Sequence, residues 1–392
     1  MPTPHASTVD FAIIGSGFGG SVAALRLAEK GYRVLVLERG KRFNDDDYAR
    51  HNWDLRRYLW MPALRCFGIQ QMTFFKDVLV LHGSGVGGGS LVYANVLMEP
   101  SDELFSAPGW SDLADWQTIL QPHYATARRM LGVTPNPHRW PADAALRALA
   151  HDLGRGESFR STEVGVFFGE PGQEGRLVPD PYFDGQGPAR AGCIQCGGCM
   201  VGCRHNAKNS LDRNYLYLAE KHGARIQPES EVTAITPLPD PQPDGARYAV
   251  QYRRTTAWMG RPTHTVRARH VVVAAGVLGT LRLLFHCRDE AGTLPAISAR
   301  LGDRVRTNSE ALLGVTSRSG QHDYSQGVAI TSVIEADDVT HVEPVRYNPG
   351  SSFIRVYSLP VKNFDLAGRE SLSIETSPCC GNAKTTQEDI PD

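Results

Sequence analysis

Residues 9–40 read VDFAIIGSGFGGSVAALRLAEKGYRVLVLERG, and the reading of this stretch decides the fold. The spacing predicts strand, tight turn, helix, strand. Residues 10–14 (Asp-Phe-Ala-Ile-Ile) are an almost continuous apolar run, as expected of a strand buried on both faces of a parallel sheet. Gly15, Gly17 and Gly20 follow at once with G-x-G-x-x-G spacing. A helical pattern runs over about 20–30, with Val22, Leu25 and Ala28 on one side and Gly31 placed to stop it. Residues 32–37 predict the second strand, which ends in Glu38.

Each residue type here has a mechanical reason. Gly15 permits the sharp turn, Gly17 lets backbone approach a diphosphate, and Gly20 allows close helix–strand packing. The unpaired N–H groups at the helix start face the phosphates, backed by a helix dipole worth only ~0.3–1 kcal/mol. Glu38 stands about 20 residues past the glycines, where a carboxylate accepts hydrogen bonds from an adenosine ribose. A carboxylate there repels a 2′-phosphate, which argues against NADP. FAD and NAD both remain open at this point.

The 392 residues predict two or three domains, and an apolar fraction of 41% is ordinary for a globular chain. Net charge is −1 and the isoelectric point about 6.9, so no global basic field recruits nucleic acid. The opening MPTPHAST has no basic region followed by an apolar run, so no signal peptide is expected. No stretch approaches a transmembrane helix in length and apolarity. Eight cysteines, four of them within residues 193–203, look like a local cluster and not a secreted disulfide framework. A cytoplasmic location follows.

Residues 41–76 are polar and aromatic. Asp45, Asp46 and Asp47 predict a solvated loop, while Trp53, Tyr58, Trp60, Phe67, Phe74 and Phe75 fit either an ordinary core or an apolar ligand pocket. Residues 77–81 (Asp-Val-Leu-Val-Leu) read as a further buried strand, and His82-Gly-Ser-Gly-Val-Gly-Gly-Gly-Ser90 follows. Glycines 83, 85, 87, 88 and 89 weaken any helix or strand by up to ~1 kcal/mol each, so close approach of backbone to a bound group is the expected reason. Two such loops on one chain favour the longer flavin dinucleotide. Helices are expected near 116–131 and 144–153, then an irregular Gly- and Pro-rich excursion over 154–191.

Cys193, Cys196, Cys199 and Cys203 form a C-x2-C-x2-C-x3-C run, the spacing of a bacterial ferredoxin loop. Arg204 stands where that loop carries proline, and no partner loop exists. Structural thiols, a 4Fe-4S cluster and zinc are the three readings. Beyond the run, residues 211–222 predict a helix, 224–227 a strand and 231–235 the start of another, with 248–253 pairing about 263–269. Residues 270–276 (His-Val-Val-Val-Ala-Ala-Gly) then repeat the strand–glycine–helix join, a third set of backbone donors for a dinucleotide.

Together these residues resemble the glucose–methanol–choline (GMC) flavoprotein oxidoreductases, in particular their cholesterol oxidase branch. The resemblance rests on Gly15–Gly20 with Glu38, Gly83–Ser90 with Glu99-Pro100, Lys208-Asn-Ser-Leu211 leading to Tyr215-Leu216, Ala274-Ala-Gly276, Gly292-Thr-Leu-Pro295 and Asn308. It implies an α/β fold: a discontinuous FAD/NAD(P)-binding Rossmann-like domain (1–44, 78–100 and 206–310) and an α+β substrate-binding domain on a mainly antiparallel sheet (45–77, 101–205 and 311–360). It implies bound FAD contacted by Gly15, Ser16, Gly17, Phe18, Gly19, Gly20, Glu38, Arg39, Gly83, Ser84, Gly85, Gly88, Gly89, Ser90, Asn95, Val232, Ala274, Ala275 and Gly276. It implies hydride transfer from the CH–OH carbon of an apolar alcohol, of the sterol class, to flavin N5, with dioxygen or another acceptor taking the electrons. Glu343 stands where the branch carries an active-site carboxylate.

The family's last segment, which brings a His–Pro pair and an Asn to the flavin, has no counterpart here, and residues 361–392 are expected to be a polar, disordered tail. The expectation is therefore a truncated or frame-shifted member. The alternatives are a flavin dehydrogenase relaying electrons through a cluster at Cys193, Cys196, Cys199 and Cys203, or a non-catalytic FAD-binding fragment.

Overall fold

The computed structural model describes residues 8–239, 242–258, 260–308, 310–314 and 320–357. The tail expected at 361–392, with Cys379 and Cys380, lies outside them. The fold is α/β and is organised by one six-stranded sheet. Its elements in chain order are β1 (Val9–Ile14), α1 (Phe18–Ala28), β2 (Val34–Leu37), α2 (Tyr215–Lys221), β3 (Arg225–Gln227), β4 (Ser230–Pro237), β5 (Tyr248–Arg254), β6 (Thr263–Val273) and α3 (Gly276–Phe285). The strand order is β3-β2-β1-β6-β5-β4. The first four strands are parallel, with Ile14 opposite Leu37 on one side and Val273 on the other. The meander that follows is antiparallel, Arg253 facing Thr263 and Tyr248 facing Ala268, as the alternation over 248–269 predicts.

Both faces of the sheet are covered, which explains the unbroken apolar runs. On one face Ile13, Val34 and Val36 meet Ala24, Leu25 and Ala28 of α1 and Leu216 and Ala219 of α2. On the other, Ala12, Ile14 and Leu37 meet Ile235, Val250, Val266 and Leu283. Burying each such valine, leucine or isoleucine side chain contributes roughly 1.5–3 kcal/mol. Gly31 adopts φ 80° just past α1, the left-handed turn that its position predicts.

The long excursion between β2 and α2 carries helices Trp116–Met130 and Pro141–Asp152, close to where they are expected. A strand from beyond α3 joins it in a small sheet: Ser332–Glu335 pairs antiparallel with Arg160–Ser161 and with His341–Val342. Buried Asp143 fastens this piece, accepting from Trp140 N at 2.6 Å and from the Thr331 and Ser332 hydroxyls. The aromatic residues divide between core and surface. Tyr58 and Trp60 are core residues, whereas Trp53 and Phe74 are exposed.

One expectation fails. The run at 77–81 does not enter the parallel sheet. Leu79–Gly83 pairs antiparallel with Gln70–Phe74 in a two-stranded hairpin, and Val78, Leu79 and Phe74 are exposed. A five-residue apolar run fits a strand with two neighbours or one, and here a single neighbour leaves one edge and part of one face open.

Candidate functional site

Three segments of bare backbone meet at the carboxyl ends of β1 and β6. Gly15, with φ 96°, is packed so closely on the Ala274 carbonyl that a Cβ would overlap it. A Cβ on Gly88 would lie 2.6 Å from Gly17 Cα, and one on Gly83 would overlap the Gly88 carbonyl. The first glycine segment therefore touches both the second and the third directly, while Gly83 against Gly88 folds the second on itself. At Gly17, Gly89 and Gly276, by contrast, a Cβ would meet nothing within 4 Å. These open positions lie on the three touching segments, and they are where a ligand backbone fits without side chains in the way.

Polar side chains lock the junction. Ser16 Oγ donates to Glu38 Oε2 at 2.7 Å and accepts the Gly87 N–H at 3.1 Å. The Glu38 carboxylate also accepts Ser16 N–H at 3.1 Å and, at Oε1, Gly40 N–H at 2.8 Å. Glu38 is thus first a tie between the turn after β1 and the end of β2, and both of its oxygens are engaged by the protein. Ser90 is spent in the same way: its hydroxyl donates to Gly87 O at 2.7 Å and accepts Leu211 N–H at 2.9 Å. Ser84 Oγ is buried with no hydrogen-bond partner among the described residues, a hydroxyl free to serve a ligand.

The remaining sequence-derived contacts fall around this junction. Phe18 is exposed at the start of α1, edge-on to Tyr93 at 5.9 Å between ring centroids, and Gly19 approaches the Ala274 methyl. Gly85 has φ 140° and packs beside Phe43 and Leu91. Asn95 is fully buried with φ 73°. Val232 sits at a bulge in β4, where the register against β5 shifts between Val232 and Ala234 and one residue is left out of the pairing. Ala275 caps α3, whose first residue is Gly276.

The GMC oxidoreductase family profile matches residues 189–288, and an NAD(P)-binding Rossmann-like profile matches residues 13–50. A cholesterol oxidase of Acinetobacter baumannii is 47% identical over 87% of this chain and 62% of its own length. One from Mycobacterium tuberculosis is 50% identical over 88% of this chain and 59% of its own. The chain belongs to the GMC oxidoreductase family. It spans about three fifths of the length of these relatives. A long-chain-alcohol oxidase of Arabidopsis thaliana is more distant, 26% identical over 70% of this chain and 34% of its own length. A fungal aryl-alcohol oxidase structure superposes with a TM-score of 0.44 at 14% identity, covering 71% of this chain and 48% of that one.

The junction fits the FAD that the likeness to GMC oxidoreductases implies. Gly17, Gly89 and Gly276 present unobstructed backbone, and Ser84 presents an unpartnered hydroxyl.

The cysteine run lies directly behind the second glycine segment. Among the described residues no group of three or more His, Cys, Asp or Glu side chains is arranged to hold a metal ion. The cluster and zinc readings of Cys193, Cys196, Cys199 and Cys203 are therefore not borne out. The four are free thiols, packed with Val164, Val166, Ala207 and Val328 or lining the same small cavity. Burial in this apolar setting opposes the thiolate that a metal needs, pushing Cys196 up to about 11 and Cys193 and Cys199 upward as well.

The knot beside them has no precedent in the spacing. Lys208 is buried and donates to three carbonyls: Tyr93 at 2.8 Å, Cys199 at 2.9 Å and Leu91 at 3.0 Å. Burial lowers its ammonium to about 8. Arg190, also buried, donates to the Lys208 carbonyl at 2.7 Å, to Asn206 O at 3.1 Å and to the Asn209 side chain. Lys208 appears in the Lys208-Asn-Ser-Leu211 motif, which marks its place but not its partners. Nothing in the sequence marks Arg190. Glu343 is half-buried, with Oε1 buried and unpartnered, and desolvation raises its carboxyl above the usual range.

Proposed function

We propose that this chain binds FAD and oxidises the CH–OH carbon of an apolar alcohol of the sterol class, passing a hydride to flavin N5. The observation that carries the reading is the meeting of three glycine segments around open backbone at Gly17, Gly89 and Gly276. The sterol part rests on similarity to two proteins named cholesterol oxidase.

FAD supplies the hydride acceptor when bound. The chain's own residues do the rest. Backbone N–H groups at the start of α1 and α3 hold the diphosphate. Ser16 and Glu38 fix the turn that presents the first of these sets. Glu343 is the candidate catalytic carboxylate, because a half-buried carboxyl held protonated longer than usual suits proton exchange with an alcohol. The excursion between β2 and α2, with the piece around Ser332–Glu335, is read as the substrate-binding part. Dioxygen is the acceptor named by the oxidase likeness. Among the described residues no helix is long and apolar enough to cross a membrane, and clustered free thiols fit a reducing compartment such as the cytoplasm.

The test is a visible spectrum followed by an anaerobic sterol titration. Flavin absorbance after gentle purification, with bleaching by cholesterol, is expected. A colourless protein that takes up no added FAD would sink the reading.

A further inference from the structure

The two buried cations behind the second glycine segment have no carboxylate of their own. Lys208 donates to the carbonyls of Leu91, Tyr93 and Cys199, and Arg190 to those of Asn206 and Lys208 and to the Asn209 side chain. Among the described residues neither makes an ion pair with a carboxylate. The acids nearest in the chain are committed to Arg213, Asp45 at 2.5 Å and Asp212 at 3.2 Å. A positive charge in a protein interior is costly unless negative charge can form beside it.

What stands beside Lys208 is sulfur. Cys193, Cys196, Cys199 and Cys203 line one cavity of about 20 Å³, and Lys208 forms part of its wall. That is room for one molecule of the size of water or hydrogen peroxide. A second cavity, of about 10 Å³, again has Cys203 and Lys208 on its wall, with Arg213, Asn206 and Ser210. Cys203 thus lines both, whereas Cys193, Cys196 and Cys199 line only the first. The short turn Cys199–Val201 and then Gly202, at φ 98° against the Tyr48 ring, carry the chain to it. The Cys203 sulfur accepts the Ala207 N–H at 3.4 Å, as the Cys193 sulfur accepts that of Gln195. The apolar wall keeps three of the thiols protonated, while the fourth reaches a polar cavity that holds two cationic side chains.

We propose that Cys203 is the peroxide-reactive thiol of this cluster and closes a disulfide with a second thiol of the same cavity. In the first step the Cys203 sulfur gives its proton to water and attacks one oxygen of hydrogen peroxide. An S–O bond forms, the O–O bond breaks, and the hydroxide that leaves takes the proton back as water. A neighbouring thiol then attacks the sulfenic sulfur: an S–S bond forms, the S–O bond breaks, and a second water leaves. Two thiols lose two electrons to one peroxide, and two waters result. Lys208 favours the negative charge that the attacking sulfur carries. Hydrogen peroxide is what dioxygen becomes on taking two electrons and two protons. Its supply at this place therefore rests on the oxidase reading, whereas the thiol reaction does not.

The test treats the full chain, reduced and then freed of reductant, with limiting iodoacetamide and, separately, with added hydrogen peroxide. Mass spectrometry of the tryptic peptide 191–204, which contains all four cysteines, reads both reactions, and fragmentation assigns the positions. Cys203 is expected to be alkylated about tenfold faster than Cys193, whose burial withholds the thiolate. Peroxide is expected to remove two hydrogens from the peptide in a bridge that ends at Cys203, and dithiothreitol to restore them. In Cys203→Ser, checked for folding by its thermal midpoint, no bridge is expected. A bridge that leaves Cys203 out, a bridge that persists in Cys203→Ser, or four intact thiols after peroxide would overturn the proposal. The first and third of these outcomes come from the wild-type chain and hold even where the variant does not fold. Because the peroxide is added, none of them depends on flavin. Failure of the oxidase reading shows separately, as no peroxide formed by the FAD-loaded chain with sterol and dioxygen.

Discussion

Two junctions hold the segments of this chain together, and they are built from opposite materials. At the ends of β1 and β6 the contacts are backbone on backbone: Gly15 against Ala274, Gly88 against Gly17, Gly83 against Gly88. A few ångströms of chain further on, behind Leu91 and Tyr93, the contacts are long cationic side chains reaching carbonyls: Lys208 to three of them, Arg190 to two more and to Asn209. The first junction gains closeness by having no side chains, and so leaves room for a ligand. The second is held by hydrogen bonds from buried cationic side chains, and is closed to one. Placing the rigid knot directly behind the open junction keeps the second glycine segment in position without occupying its face.

The largest expected effect comes from adding one methyl group to the first junction. Gly15→Ala forces a Cβ into the Ala274 carbonyl at a φ of 96° and is expected to cost about 4 kcal/mol in urea unfolding. Gly17→Ala places its Cβ where nothing stands, so stability is expected to change by less than about 1 kcal/mol while FAD affinity falls. Equal losses of stability in the two variants would erase the distinction between packed and open glycines. The second junction is tested by Lys208→Met, which orphans three buried carbonyls at a cost of about 2–3 kcal/mol. Its pH dependence has a definite sign. The Lys208 ammonium titrates near 8 in the folded chain, below its ordinary value of 10.5, so between these values the unfolded chain binds more protons. Wild type is therefore expected to gain stability relative to Lys208→Met as pH rises from 8 to 10.5. A flat difference would remove the buried charge from the account.

The same contrast explains how much was legible in the sequence. The first junction is written in residue types, because only glycine tolerates such approach, and three strand–glycine joins can be found by spacing alone. The second is not, because the acceptors of Lys208 and Arg190 are main-chain carbonyls, which every residue carries. Leu79–Gly83 was misplaced for a related reason: an apolar pentapeptide records burial but not how many strands flank it. The cysteine spacing leaves structural thiols, a cluster and zinc open, and what decides between them is thiolate formation, which the apolar neighbours Val164, Val166, Ala207 and Val328 oppose. Glu38 was legible as a carboxylate at the right distance, but not its prior commitment to Ser16 and Gly40.

The smallest effect at neutral pH belongs to the hairpin that leads into the second glycine segment. His82 stands half-buried on the strand entering Gly83, bonded through Nε2 to Thr73. His82→Gln keeps polar reach toward Thr73 and is expected to cost less than about 1 kcal/mol at pH 7.5. On acidification the two chains diverge. The folded imidazole resists protonation down to about 4, while in the unfolded chain it takes a proton near 6.5. Across that window the unfolded state binds the extra proton, so wild type is expected to lose stability relative to His82→Gln as pH falls from 6.5 to 4. Parallel pH profiles would mean that His82 is hydrated. In that case it faces solvent, and the hairpin's contribution to the junction reduces to its backbone.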